Sequence, residues 1–131
     1  MVYLQKTYVS TTLADKPSTQ ELHQLAMQTV GQDLEDQGYE FVAVNSQPKK
    51  DPQFVCKRNK KLYFVVVRAC VYPDNPEQYD ARLMDKIKSH AEKFKANLFY
   101  AGVGFANAEQ YDLPLQKSHP YAVNYKGLQK M

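Results

Sequence analysis

The sequence predicts an α/β domain. That reading rests on an apolar stripe at helical spacing from Leu22 to Leu34, a run apolar at successive positions from Leu62 to Val67, and a second helical stripe ahead of a glycine-bearing strand. With 131 residues, 44% of them apolar, the chain can bury one compact core but is short for two, so residues 1–131 are expected to form a single domain. It contains no internal repeat, low-complexity tract or linker.

The first helix opens at Ser18-Thr19-Gln20-Glu21, a capping box in which the Ser hydroxyl takes an orphan backbone N–H and Glu21 reaches back. Leu22, Leu25, Ala26, Thr29, Val30 and Leu34 share one face, with Gln24, Gln28, Gln32 and Glu35 mostly on the other, and Gly38 supplies the left-handed cap. Tyr39 to Val44, aromatic and β-branched, reads as a strand followed by the polar loop Asn45 to Lys50. Gln53 to Lys57 and Lys61 to Tyr72 flank Arg58-Asn59-Lys60 and read as a hairpin. Closing it at Asn59 and Lys60 pairs Arg58 with Lys61, and therefore Gln53 with Val66 and Asp51 with Arg68.

The second arm of the hairpin is apolar on both faces, so a helix is expected on each side of the sheet. Asp74-Asn75-Pro76-Glu77 predicts a second helix start with Pro at the first helical position; Tyr79, Leu83, Met84, Ile87, Ala91 and Phe94 continue it as a stripe that ends near Asn97. Leu98 to Phe105 follows as a strand, parallel to the second arm because a helix crosses between them. Gly102 and Gly104 within it mark a close backbone approach or a bulge, and lack the glycine spacing of a phosphate loop. Beyond Asn107, a loop with Pro114 and Pro120 precedes a last strand, Tyr121 to Tyr125. Residues 1–16 read either as an edge strand or as an arm packed on a partner.

The order helix, three strands, helix, strand over about residues 18–106 resembles the PD-(D/E)XK nuclease-like, or restriction-endonuclease-like, superfamily. The resemblance implies a three-layer core of order α-β-β-β-α-β around a mixed central sheet, with an N-terminal arm 1–16 and a small C-terminal addition, 107–131. In that superfamily an Asp opening the second strand, an acid two residues before a Lys on the third, and often a Glu on the first helix surround a divalent metal. The metal polarises the phosphodiester and activates a water. Asp51 takes the place of the first Asp, Glu21 that of the helix Glu and Arg68 that of the Lys. Val66 stands where the central acid is expected, and it can neither bind a metal nor move a proton.

The resemblance therefore implies a degenerate site with no metal or other cofactor, in a domain that binds nucleic acid or a protein partner without cleaving. The alternative is an active Mg²⁺-dependent nuclease whose missing carboxylate comes from Glu40 or Asp85. A plainer account also stands: Asp51 and Arg68 form a charge pair in a covered sheet.

Lys49, Lys50, Lys57, Arg58, Lys60 and Lys61, with Phe54 and Tyr63 nearby, are candidates for phosphate and base contacts; the alternative is a solvated hairpin whose lysines discourage edge pairing. A third class of function is an interaction or homo-oligomer module, suggested by Tyr3, Tyr8, Tyr111, Tyr121 and Tyr125, unless the terminal strands carrying them simply cover the sheet.

The net charge of +3 neither demands nor excludes a polyanionic partner. Polar residues interrupt Met1 to Ser10 and no run elsewhere reaches membrane-spanning length, so no membrane partner and a cytoplasmic location are expected. Cys56 and Cys70 belong to no Cys-x-x-Cys pair, and the hairpin register puts Cys56 opposite Tyr63, on the face away from Cys70; two free, buried thiols follow. His23, His90 and His119 lack ligand spacing and are expected at the surface, with no zinc site.

Overall fold

Along the chain the elements run β1 (Tyr3–Thr7), α1 (Thr19–Asp36), β2 (Glu40–Val44), β3 (Phe54–Arg58), β4 (Lys61–Val71), α2 (Ala81–Lys93), β5 (Ala96–Asn107), β6 (Pro120–Tyr125) and β7 (Gln129–Lys130). They are those of a computed structural model that describes residues 3–7, as backbone only, 16–117 and 119–131. One mixed sheet has the order β1-β6-β5-β4-β3-β2, with β7 also paired to β5. β2, β3 and β4 form an antiparallel meander, β5 lies parallel to β4, and β6 and β1 continue antiparallel. The α/β class is thus the one the sequence predicts.

Local chemistry explains most boundaries. Ser18 Oγ accepts from Glu21 N at 3.1 Å while Glu21 Oε1 accepts from Ser18 N at 3.0 Å, so both halves of the capping box form. Gly38, at φ +84°, ends α1 in the left-handed region. Asn59 and Lys60 both have positive φ, the pattern of a two-residue hairpin turn, and the pairing Arg58 to Lys61 through Phe54 to Val65 is the expected register.

The all-apolar run of β4 separates two cores. Val65 and Val67 pack with Ala26, Val30 and Leu34 of α1, whereas Phe64 and Val66 pack with Met84, Ile87 and Ala91 of α2. Each such fully buried side chain contributes about 1.5–3 kcal/mol, which is why this strand sits at the centre.

Three expectations are corrected. The second helix starts at Ala81, capped by Asp80, whose Oδ1 accepts from Leu83 N at 3.1 Å, and not at Asp74. Pro76 is instead pressed onto β5: a Cβ on Gly102 would lie 1.7 Å from the Pro76 carbonyl oxygen, and the Tyr100 hydroxyl donates to that oxygen at 2.9 Å. This contact keeps residues 74–79 out of the helix, so the glycines mark a close approach, and Tyr79 and Phe94 fall outside the helix as exposed residues.

The C-terminal segment is not an addition. β6 lies between β5 and β1 with Tyr121, Ala122, Val123 and Asn124 buried, and the Tyr125 hydroxyl donates to Asp33 Oδ2 of α1 at 2.6 Å. Tyr121 and Tyr125 therefore cover the sheet, while Tyr111 is exposed against Tyr72. At the N-terminus Tyr3–Thr7 is an edge strand on β6; the Tyr3 side chain and residues 8–15, Tyr8 included, lie outside the described residues.

Candidate functional site

The ladder of β3 ends at Phe54 while β4 runs on to Val71, so Asp51 and Gln53 lie against the stretch of β4 that β3 leaves unpaired. Asp51 and Arg68 meet there although the regular ladder stops at Phe54 and Gln53 N still bonds the Val65 carbonyl, a shift of one residue from the expected register. Arg68 Nη1 donates to Asp51 Oδ1 at 2.7 Å and Nη2 to Oδ2 at 2.8 Å, a two-pronged ion pair, and Nη1 also reaches the Val67 carbonyl at 3.0 Å. Burial pushes the Asp51 carboxyl up, but the hydrogen bonds and charge of Arg68 and the bond from Gln53 outweigh it and hold the carboxyl below its ordinary value.

Gln53 was not singled out by the sequence reasoning, although its place opposite Val66 puts an amide among apolar neighbours. It is fully buried; its Nε2 donates to Asp51 Oδ1 at 3.0 Å, and its Oε1 accepts from Val67 N at 2.7 Å, satisfying a β4 amide beyond the ladder.

His23 is the second residue missed, and its expected surface position is wrong: it is 4% exposed, with Nε2 buried and unpartnered. Its spacing with Ala26, Met27, Val30 and Leu34 could have shown this, because these residues form the buried face of α1. Burial, then the charge of Arg68, lowers the imidazole below its ordinary 6.5, with Asp51 opposing. With Thr19, Pro48, Lys49 and Arg68 it lines a cleft of about 160 Å³ at the start of α1. Glu21 does not line it, being taken up by the capping box and by Lys117 Nζ at 2.9 Å.

The donor set does not fit a divalent metal. Val66 is fully buried in the core beneath α2, and both oxygens of Asp51 are engaged by Arg68. Glu40 sits opposite Lys57, at the other end of β3, and Asp85 lies on α2 beside Lys88 and Lys130, so neither replaces the missing acid. Among the described residues no group of three His, Cys, Asp or Glu side chains is placed to hold an ion.

The family described as Domain of unknown function (DUF8840) matches residues 20–131. The chain belongs to this family. The match runs from the first turn of α1 through β7, so it takes in the cleft and the C-terminal strands alike. No curated protein and no solved structure matches the chain.

In this DUF8840 chain the candidate cations do not form one patch. Lys57, Lys60 and Lys61 are exposed at the hairpin tip, whereas Lys49 and Lys50 lie at the opposite end of β3 next to the cleft. Arg58 is engaged: its guanidinium stacks 4.2 Å from the Tyr39 ring centre and donates to the Gln37 carbonyl at 3.2 Å. Both cysteines are free; Cys56 lies opposite Tyr63 in the core beneath α1, Cys70 in a cleft on the α2 side, and burial pushes both thiols up to about 11. Among the described residues no helix is long and apolar enough to cross a membrane.

Proposed function

We propose that the chain is a restriction-endonuclease-like domain that binds nucleic acid at the Arg68 end of its sheet without cleaving it. The order α1-β2-β3-β4-α2-β5, with a three-strand meander and a parallel fifth strand, supports the fold assignment. The observation that carries the function is the Asp51–Arg68 pair: at the positions that the sequence resemblance assigns to a nuclease site, an acid and a cation neutralise each other, and a core valine takes the place of the central acid. Lys49, Lys50 and the start of α1 then give the cleft mouth a surplus of positive charge, suited to phosphates.

Fluorescence anisotropy with labelled single-stranded, duplex and branched DNA and RNA tests the reading, with Mg²⁺ and with EDTA. The expected result is salt-sensitive, Mg²⁺-independent binding, weakened about tenfold by Lys49→Glu/Lys50→Glu, with a salt slope reduced by about two. Absence of binding at low salt overturns the nucleic-acid assignment. Metal-dependent cleavage that Asp51→Ala abolishes overturns the non-cleaving one.

A further inference from the structure

The cleft at the start of α1 holds an atom that neither the fold nor the lysines at its mouth account for. His23 lines it, and the buried Nε2 has no hydrogen-bond partner among the described residues, although the side chain is only 4% exposed. Buried polar atoms are almost always paired, so an orphaned one beside a cleft marks the place where a ligand supplies the partner.

The walls around this nitrogen are apolar. Leu22 of α1, Pro48 of the loop and Val67, Ala69 and Val71 of β4 line the cleft, which holds about 160 Å³. Pockets for whole drug-sized ligands hold roughly 300–1,000 Å³, so one flat ring enters here and a complete nucleotide does not. The loop that forms the outer wall is fixed. Gln24 Nε2 donates to the Ser46 carbonyl at 3.2 Å, and Lys49, at φ +59°, sits in a turn in which Lys50 N donates to the Gln47 carbonyl at 3.3 Å. Lys49 and Lys50, both exposed, follow directly on the Pro48 wall.

The interior does not suit an anion. Burial, then the charge of Arg68, keeps the imidazole below 6.5 and therefore neutral at pH 7; Arg68 is itself paired with Asp51, and the capping box occupies the amides of Ser18 and Glu21. A neutral ring with a polar edge fits instead. Its faces lie on the aliphatic walls, its edge meets the imidazole, and phosphates attached to it remain outside with the lysines.

We propose that this cleft is a slot for a single unpaired base, drawn from a nucleic-acid strand whose flanking phosphates lie on Lys49 and Lys50. Resting on the nucleic-acid reading above, the slot narrows its target to strands with an unstacked nucleotide: a single strand, a bulge or a frayed end. One imidazole nitrogen makes one hydrogen bond, so the slot prefers a base to no base and discriminates little among the four.

Two labelled DNA duplexes of equal charge test this, one with a single bulged thymidine and one with an abasic residue in its place, beside a fully paired duplex. In fluorescence anisotropy the base-bearing bulge is expected to bind about tenfold more tightly than the abasic one, and a bulged adenosine within about threefold of the thymidine. Ala69→Leu, which fills the slot, brings the base-bearing bulge down to the abasic affinity. His23→Leu, which keeps the bulk and removes the nitrogen, cuts the tenfold ratio to about three. Imidazole ¹⁵N resonances supply a readout in the wild-type chain: the His23 Nε2 signal, assigned by its loss in His23→Leu, shifts with the base-bearing bulge and not with the abasic one. Should Ala69→Leu fail to fold, His23→Leu and this signal decide. Equal affinity for the two bulges, or an Nε2 signal that does not move, overturns the slot. Thymidine monophosphate competing as tightly as the bulged duplex also overturns it, assigning the cleft to a free nucleotide. If the duplexes bind but the two bulges do not differ, the slot alone falls; if none of the three binds at low salt, the nucleic-acid reading falls with it.

Discussion

Asp51 shows how one carboxylate can anchor a chain segment to a strand through an ion pair. Its ion pair is partly buried, with side-chain exposures of 21% for Arg68 and 11% for Asp51, so removing one partner strands the other. Asp51→Ala is expected to cost about 3 kcal/mol, and Asp51→Ala/Arg68→Ala less than the sum of the single variants by about 1–2 kcal/mol, read from urea midpoints. His23 adds a pH dependence of definite sign. Its folded-state value lies below 6.5, so as pH falls through 6.5 the unfolded chain takes up a proton that the folded chain refuses, and stability declines from there downward. Asp51, held below 3.8, contributes stability that is complete above 3.8 and lost only as pH falls further. The urea midpoint should therefore drop in two separate steps on acidification. His23→Gln should remove the first step and leave the second; an unchanged first step would mean that another group controls it.

At the scale of elements, the close approach of residues 73–79 to β5 is the feature most sensitive to a single substitution. Gly102→Ala forces a methyl into the Pro76 carbonyl, and the backbone has to move because neither partner is a flexible side-chain tip. A cost of about 3 kcal/mol is expected in urea unfolding. The same loop shields Cys70, whose thiol donates to the Asp74 carbonyl at 3.6 Å. With both thiols near 11, the native wild-type chain should react slowly with a disulfide reagent at about pH 8, the denatured chain should titrate two thiols, and Gly102→Ala should accelerate Cys70 alone. Equal acceleration of Cys56 would point to global opening instead.

For the molecule as a whole, the sheet joins parts of the chain that sequence order keeps apart. β6 covers one side of β5 and places Tyr121 and Val123 in the core beneath α1. A fragment of residues 18–106 strips β5 of that partner and uncovers Phe105 and Val103, so it should show no cooperative thermal transition by circular dichroism, whereas the full chain should melt in one. A cooperative melt of the fragment would restore the C-terminal strands to the status of an addition.

The sequence by itself determined the features that depend on neighbours along the chain. The capping box at Ser18, the cap at Gly38, the turn at Asn59 and Lys60, and the hairpin register from Arg58 back to Phe54 all follow from short-range geometry and the two-residue period of strands. Tertiary structure decided what depends on contacts between distant segments. Pro76 against Gly102 delayed α2, because a close backbone contact outweighs a local helix signal that is worth little. The burial of His23 was set by which face of α1 the sheet covers, and the engagement of Arg58 by where Tyr39 stands after α1. Spacing in sequence fixes the direction of a side chain on its own element, but only packing fixes what stands opposite it.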